Sequence, residues 1–215
     1  MKCLSFKKAE KLLLKYKIPF CRTAVAASRE EAGVFAKKFG YPVVLKVFAP
    51  EVMHKTDLGL VEIGIRGEKE LEAVWNKLSS KIKKRKIKEA EILIQKQLFG
   101  TETVAGMKRD GQFGPVLMFG LGGVLIEVLA DVSFRIAPVG RKEAGQMTEE
   151  IKGYRILKRF RSQKAVNLAK LAGIIVSLSQ LALKEKKIIE ADLNPIIANE
   201  KGSWVADPRF LIHDQ

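Results

Sequence analysis

The alternation of apolar and polar positions predicts short strands interspersed with amphipathic helices. Apolar residues three or four positions apart indicate helices at 4–17, 28–40, 68–86, 142–151 and 164–184. Short apolar or alternating runs indicate strands at 22–25, 43–48, 61–65, 91–96 and 116–119, and two more on either side of a turn at 199–202. This order predicts a mixed α/β protein with two lobes, at residues 1–95 and 96–215.

One strand of this pattern contains a charge. Lys46 lies inside the apolar run Val43–Phe48, and a buried, unpaired ammonium group would be costly. Two interpretations follow. Either Lys46 lies at the edge of its strand and reaches solvent, or an anion binds it.

Residues 109–138 form the most distinctive segment. The turn signal Asp110-Gly111 precedes an apolar run that ends on Gly120, Gly122 and Gly123. Glycine lets a backbone approach a ligand closely, so a strand that leads into such a loop is suited to binding. A buried strand, a tight turn and a second strand would give the same pattern. The spacing fits neither a dinucleotide fingerprint nor a P-loop.

A third group of polar residues lies near the end of the chain. Strand alternation places Asp192 and Asn194 on the same side, and the turn at 199–202 brings Asp207 towards them. Carboxylate and amide oxygens are the hard ligands that Mg²⁺ prefers. Glu190 alternates onto the same side and would lie next to the metal ligands without binding the metal itself.

Together these motifs resemble the ATP-grasp subunit of ADP-forming acyl-CoA synthetases, and most closely the acetate–CoA ligase β subunit. The resemblance rests on the runs 113–115, 118–123, 127–129, 131–138 and 190–197. It extends over nearly the whole chain. It implies the ATP-grasp fold, an α/β (α+β) fold whose two lobes hold the nucleotide in a cleft between them.

The resemblance also implies roles for individual residues. Lys46 and Arg135 would contact phosphates of ATP or ADP, Glu102 would lie near the nucleotide, and Mg²⁺ would be held by Asp192, Asn194 and Asp207. The hinge beside the adenine would be formed by Gln95, Lys96, Gln97 and Leu98.

A histidine motif completes the resemblance. His54, in the run His54-Lys55-Thr56-Asp57, corresponds to a transiently phosphorylated histidine, and neutral imidazole is a good nucleophile at cytosolic pH. Two departures stand out. Many family members have two glycines after the aspartate, whereas this chain has Gly59 followed by Leu60. A Gly-x-Arg-Gly loop is also absent from 154–163.

Composition and charge limit the class of protein. With 47% apolar and 29% charged residues, the chain reads as a soluble globular protein. Neither an export signal nor a membrane-length apolar stretch is found, so Cys3 and Cys21 are expected to be reduced thiols in the cytoplasm. The net charge of +15 raises the question of a polyanionic partner. The basic run 81–88, however, lies at the C-terminal end of a predicted helix, where positive charges stabilise the helix. The sequence also lacks nucleic-acid-binding motifs.

The expected function is therefore phosphoryl transfer between a phosphohistidine and ADP. The overall reaction would convert acyl-CoA, ADP and phosphate into a carboxylate, CoA and ATP. We find no CoA-binding Rossmann unit in this sequence, so the expected partner is a CoA-binding α subunit, in a heterotetramer or larger assembly, which would bring the carboxylate and CoA. Two alternatives remain open: another ATP-grasp carboxylate ligase, and a polyanion-binding protein with a degenerate nucleotide fold.

Overall fold

The computed structural model describes residues 1–52, 55, 58–123, 131–158 and 164–213. The chain divides into two compact units, which are described separately. The smaller unit is Cys21–Leu98. The larger unit combines Met1–Phe20 with Phe99–Gln215.

The elements follow the chain in this order. The larger unit begins with β1 (Lys2–Cys3) and α1 (Phe6–Lys15). The smaller unit contains β2 (Thr23–Ala26), α2 (Arg29–Phe39), β3 (Val43–Phe48), β4 (Val61–Ile65), α3 (Glu68–Arg85) and β5 (Glu91–Lys96). The larger unit continues with β6 (Thr101–Asp110), β7 (Gly114–Leu121), β8 (Val132–Ile136), α4 (Arg141–Glu150), α5 (Tyr154–Lys158), α6 (Leu168–Lys184), β9 (Ile188–Ala198), β10 (Ser203–Val205) and β11 (Pro208–Ile212).

The smaller unit is an antiparallel sheet in the order β2-β5-β3-β4, packed against α2 and α3. Ser28 caps α2 by accepting a hydrogen bond at 3.2 Å from the Glu31 backbone N–H. Alternate residues of β3 and β5, among them Leu45 and Ile94, belong to the core against the helices. The residues between them, including Lys46 and Gln95, therefore lie on the other face of this sheet.

The larger unit is built on a sheet with the strand order β1-β11-β9-β6-β7-β8, and β10 pairs with β9. Helices α1, α4 and α6 pack on one face, where the core includes Ala105, Leu117 and Leu193. We call this side the helix face. The opposite side carries Val104, Gly106 and Lys108 of β6, and we call it the cavity face.

The two units differ from the lobes expected at 1–95 and 96–215. The first twenty residues belong to the larger unit, because Lys2 and Cys3 pair with Ile212 and Leu211 and because α1 packs on β11. The other boundary follows Leu98, two residues beyond the end of β5.

The basic run 81–88 lies where the sequence predicted. Helix α3 ends at Arg85 with Lys83 and Lys84 in its last turn, next to the partly negative carbonyl end of the helix. Lys81 of the same run donates to the carbonyl of Gly59 at 2.6 Å. In the described parts of the chain, we find no helix that combines the length and apolarity needed to cross a membrane.

Candidate active site

The cavity face of the larger sheet forms a concave site of about 740 Å³. Its side chains lie in rows across the strands, because directly paired antiparallel residues point to the same side. One row contains Phe134, Met118, Gly106 and Asp192. The neighbouring row contains Val116, Lys108 and Glu190. Apolar side chains from β7 and β8 thus line one part of the cavity, and charged side chains from β6 and β9 line the other.

The structure brings the three expected metal ligands onto neighbouring segments. Asp192 and Asn194 both line the cavity. The backbone N–H of Asn194 donates to the Asp207 carbonyl at 3.2 Å, so residue 207 lies beside residue 194. Two carboxylates and one amide oxygen fit Mg²⁺, which keeps several water or phosphate ligands of its own. Within the described ranges, no group of three His, Cys, Asp or Glu side chains offers a different metal site.

Glu102 lies beside the glycine segment, near the start of β6. Its carbonyl accepts a hydrogen bond from the Gly122 N–H at 2.8 Å. A side chain at Gly122 would come within 3.1 Å of the Glu102 backbone, and one at Gly120 within 2.8 Å of the Asp131 carbonyl. Both glycines therefore allow neighbouring strands to approach closely. Residues 124–130, which continue this segment, lie outside the described residues.

The polar residues of β8 and the position before it belong to the helix face. Both carboxylate oxygens of Asp131 accept backbone N–H groups, from Lys152 and Gly153, at 2.7 Å each. The Ser133 hydroxyl donates to the Met147 carbonyl at 2.9 Å. These hydrogen bonds attach the strand to α4 and to the turn that follows it.

Arg135 continues this series on the helix face. Its guanidinium forms an ion pair with Glu150 of α4, which raises the pKa of Arg135, and donates to the Phe134 carbonyl at 2.8 Å. Leu117, its partner across the strands, is part of the helix-face core. The structure therefore does not bring Arg135 together with Asp192 and Asn194, although the resemblance implied a phosphate contact.

Lys46 is buried in the smaller unit, with 3% of its surface exposed. Strand β3 lies between β4 and β5, so the interpretation in which Lys46 sits at a strand edge and reaches solvent is wrong. The Cys21 thiol lies close enough to the Lys46 ammonium for that charge to affect the pKa of the thiol. Burial raises the pKa of the Cys21 thiol to about 11, and the Lys46 charge opposes that shift. The thiol is therefore protonated at neutral pH.

The expected hinge residues make contacts within the smaller unit. Gln95 is buried and donates to the Thr23 hydroxyl at 2.7 Å. Lys96 donates to the carbonyls of Gly40, which caps the end of α2, and of Tyr41, at 2.7 and 3.3 Å. The Gln97 side-chain oxygen accepts the Gly64 N–H at 2.7 Å. Leu98 is the last residue of this unit.

The histidine loop is described only in part. His54, Thr56 and Asp57 lie outside the described residues, whereas the Lys55 ammonium lies 4.9 Å from the centre of the Phe48 ring. Leu60, found where many family members have a second glycine, is fully buried in the core of the smaller unit. This departure therefore adds an apolar contact to the core.

Comparison with known proteins identifies the family. The ATP-grasp domain family matches residues 1–212. The chain belongs to this family. The mixed α/β architecture with antiparallel sheets agrees with that fold.

Relatives of this ATP-grasp chain include acetate–CoA ligases. This chain is 41% identical over 208 residues to the β subunit of ADP-forming acetate–CoA ligase I of Pyrococcus furiosus, and the match covers 95% of this chain and 89% of the relative. It is 42% identical over 203 residues to ADP-forming acetate–CoA ligase I of Archaeoglobus fulgidus, covering 93% of this chain. The chain spans only 30% of the length of that relative, so some relatives carry this domain within a much longer protein.

Solved structures agree with this assignment. The dinucleotide-forming acetyl-coenzyme A synthetase 1 of Ca. Korarchaeum cryptofilum, in complex with coenzyme A and Ca-AMPCP, matches with a TM-score of 0.92 and 37% identity over 99% of this chain and 94% of the matched chain. Another structure of that protein contains Mg-AMPPCP, with its phosphohistidine segment pointing towards the nucleotide-binding site. Its TM-score is 0.83 at 35% identity, covering 99% of this chain and 93% of the other.

Two cavity residues of this ATP-grasp chain were not predicted from sequence. Gly106 and Lys108 line the cavity from β6, opposite Asp192 and Glu190. Alternation along 102–108 would have placed both on the same side as Glu102. Their position opposite Asp192 and Glu190 depends on the pairing of β6 with β9. That pairing connects residues more than eighty positions apart and is not visible in the sequence.

Proposed function

We propose that this chain is the nucleotide-binding subunit of an ADP-forming acyl-CoA ligase, with acetyl-CoA as the first substrate to test. Its own step is transfer of a phosphoryl group from a phosphohistidine to ADP, which yields ATP and free histidine. The observation that carries this proposal is the position of Asp192 and Asn194 in the lining of the cavity, with the backbone of Asp207 hydrogen-bonded to that of Asn194. The β-subunit relative supports it, because the match covers nearly the full length of both chains.

The residues of each unit would contribute separately. In the larger unit, Asp192, Asn194 and Asp207 would hold Mg²⁺, and Glu102 would lie near the nucleotide. In the smaller unit, the Lys46 ammonium would bind a nucleotide phosphate, and the backbone at 95–98 would contact the adenine. Magnesium, when bound, would neutralise negative charge on the phosphates, and phosphoryl transfer depends mainly on positioning and charge.

The phosphoryl group would come from a histidine of a CoA-binding partner, either directly or through His54. Relatives named as β subunits support a partner, and so does the longer relative in which this domain is part of a larger chain. The size of the assembly, the accepted acyl group and a cytoplasmic location stay predictions.

Calorimetry with Mg-ADP tests the proposal. Wild-type protein should bind Mg-ADP. Asp192→Asn should weaken binding by at least about tenfold, or about 1.4 kcal/mol, because it removes a charged metal ligand. Glu200→Asn, an exchange at an exposed acidic residue, serves as the control. Absence of Mg-ADP binding by the folded wild-type protein would refute the proposal.

A further inference from the structure

Lys108 is a cavity-lining residue without an assigned role. It lies on β6, which has β9 on one side and β7 on the other, so it belongs to an interior strand of the larger sheet. The strand register places it directly between Glu190 of β9 and Val116 of β7, and all three residues line the cavity. Lys108 is also exposed. Its side chain therefore reaches the cavity from within the sheet and not from a sheet edge.

The ammonium group of Lys108 has no partner in the described part of the chain. Its side chain forms neither a hydrogen bond nor an ion pair there, although the register brings Glu190 opposite it. The guanidinium of Arg109, another cation in the cavity lining, donates to the carbonyls of Ala182 and Ile188 on the helix face, at 2.7 and 3.3 Å. Among the lining residues that the structure describes, Lys108 is therefore the cation available to an anion in the cavity.

A cation on the cavity face of the larger unit meets a need of the proposed site. The resemblance implied Arg135 as a phosphate contact, but the Arg135 guanidinium pairs with Glu150 of α4 instead. Phosphoryl transfer depends mainly on positioning and on stabilising negative charge. A free ammonium group beside the expected metal ligands supplies positive charge where Arg135 does not.

The position of Lys108 along β6 indicates which phosphate it would meet. Gly106 pairs with Asp192, and Lys108 follows on the same face, about 7 Å further along the strand. Glu102, which the proposed function places near the nucleotide, lies roughly 13 Å from Gly106 in the other direction. Magnesium at Asp192 would thus lie between Glu102 and Lys108. Lys108 is on the far side of that metal site, where the phosphate chain of the nucleotide would end.

We propose that the Lys108 ammonium binds the terminal phosphate of ATP, and that it thereby raises the affinity for Mg-ATP relative to Mg-ADP. This inference rests on the proposed function, in which that phosphate is the group transferred. A lysine ammonium is a point charge with three donors, which suits phosphate oxygens. Its flexible four-carbon stem lets it reach an anion in front of Gly106.

Calorimetry on the full chain with two ligands tests the inference: Mg-ADP, and Mg-AMPPCP as an ATP analogue that is not hydrolysed. Lys108→Met should weaken Mg-AMPPCP binding about tenfold or more and Mg-ADP binding less than about threefold, because only the analogue has a third phosphate. Lys108→Arg keeps the charge and should retain most of the affinity for both ligands. Unchanged Mg-AMPPCP affinity in Lys108→Met, or equal losses for the two ligands, would overturn the inference.

Lys142→Met is the matched control. Lys142 is an exposed lysine of α4, which packs on the helix face, and it lies outside the described cavity lining. Its replacement removes the same charge, so it measures the effect of net charge alone on nucleotide binding. Its Mg-AMPPCP affinity should stay within about twofold of wild type. A loss as large as that in Lys108→Met would overturn the inference.

A structural pair between Lys108 and Glu190 would give a different pattern. Lys108→Met and Glu190→Gln would then lower the urea midpoint alike, and Lys108→Met would leave the affinity for Mg-AMPPCP unchanged, which would overturn the inference. We expect neither variant to lower the midpoint, because no ion pair joins the two side chains in the described chain. Should Lys108→Met fail to fold, Lys108→Gln decides by the same comparison of the two ligands.

The same data separate this inference from the proposed function. If wild type does not bind Mg-ADP, or if Asp192→Asn leaves binding unchanged, the proposed site itself fails. If Asp192→Asn weakens binding of both ligands and Lys108→Met weakens neither, only the role of Lys108 fails.

Discussion

The two faces of the larger sheet carry polar side chains at the same two-residue spacing, but use them differently. On the helix face, Asp131 and Ser133 bind backbone groups of α4 and the following turn. On the cavity face, Asp192 and Asn194 line a concave surface. The comparison teaches that spacing alone does not reveal function. What matters is whether the facing layer supplies partners for the polar groups.

The largest effect is expected at Asp131. Asp131→Ala leaves two backbone N–H groups without their acceptor in a part-buried turn, so the free energy of unfolding should fall by about 2–4 kcal/mol. Urea denaturation followed by circular dichroism measures this loss. Mg-ADP affinity of the folded fraction should not change, because the carboxylate faces away from the cavity.

Asp110→Ala is the matched control for Asp131. Asp110 also accepts two backbone N–H groups, from Gln112 and Phe113 at 2.8 and 2.9 Å, but in an exposed turn where water can replace it. Asp110→Ala should therefore lower the free energy of unfolding clearly less than Asp131→Ala does. Equal losses in the two variants would contradict the contrast between the faces.

A graded change at Gly106 tests the cavity face. A Cβ at this position would lie 3.4 Å from the Met118 methyl, an ordinary contact, so Gly106→Ala should keep most Mg-ADP affinity. Gly106→Leu should fill the space beside Asp192 and reduce affinity by at least about tenfold, while the unfolding free energy changes less than in Asp131→Ala. Calorimetry and urea denaturation of both variants measure these effects. Wild-type affinity in Gly106→Leu would place the nucleotide elsewhere.

The smallest effect is expected at Arg135. Its ion pair with Glu150 is partly exposed, with 30% and 46% of the two side chains accessible, so Arg135→Met should cost about 0.5 kcal/mol, and less at high salt. Urea denaturation at two salt concentrations and Mg-ADP calorimetry check this. A tenfold loss of Mg-ADP affinity in Arg135→Met would instead support the phosphate contact that the resemblance implied for Arg135.

Much of the secondary structure could be predicted from sequence. The spacing of apolar residues predicted most of the helices and strands, and the turn at 199–202 predicted the antiparallel pair that it joins. That Asp192, Asn194 and Asp207 bind a metal stays a prediction. The predictions of secondary structure succeeded because they depend on residues close together in the chain. The buried strand with Lys46 was predicted for the same reason.

Arg135 shows why the rest could not be predicted. Strand β8 turns Phe134 and Ile136 away from the helices, with 57% and 51% of their surfaces exposed, and directs Ser133 and Arg135 towards them. This reverses the usual rule that apolar residues face the covered side. Contacts with α4 hold Ser133 and Arg135 on this side, and these contacts join elements that are separate in the chain. The pairing of the two-residue strand β1 with β11 was equally invisible in local sequence.

The pairing of β1 with β11 has a consequence for biosynthesis. Residues 21–98 form a contiguous segment whose partners are all available once that segment has left the ribosome, so the smaller unit can fold early. The larger unit has to wait for Pro208–Ile212 before Lys2 and Cys3 find their neighbours. Removal of β11 would therefore also release β1, and an emerging chain would carry an unprotected sheet edge at β9 until β11 had been synthesised.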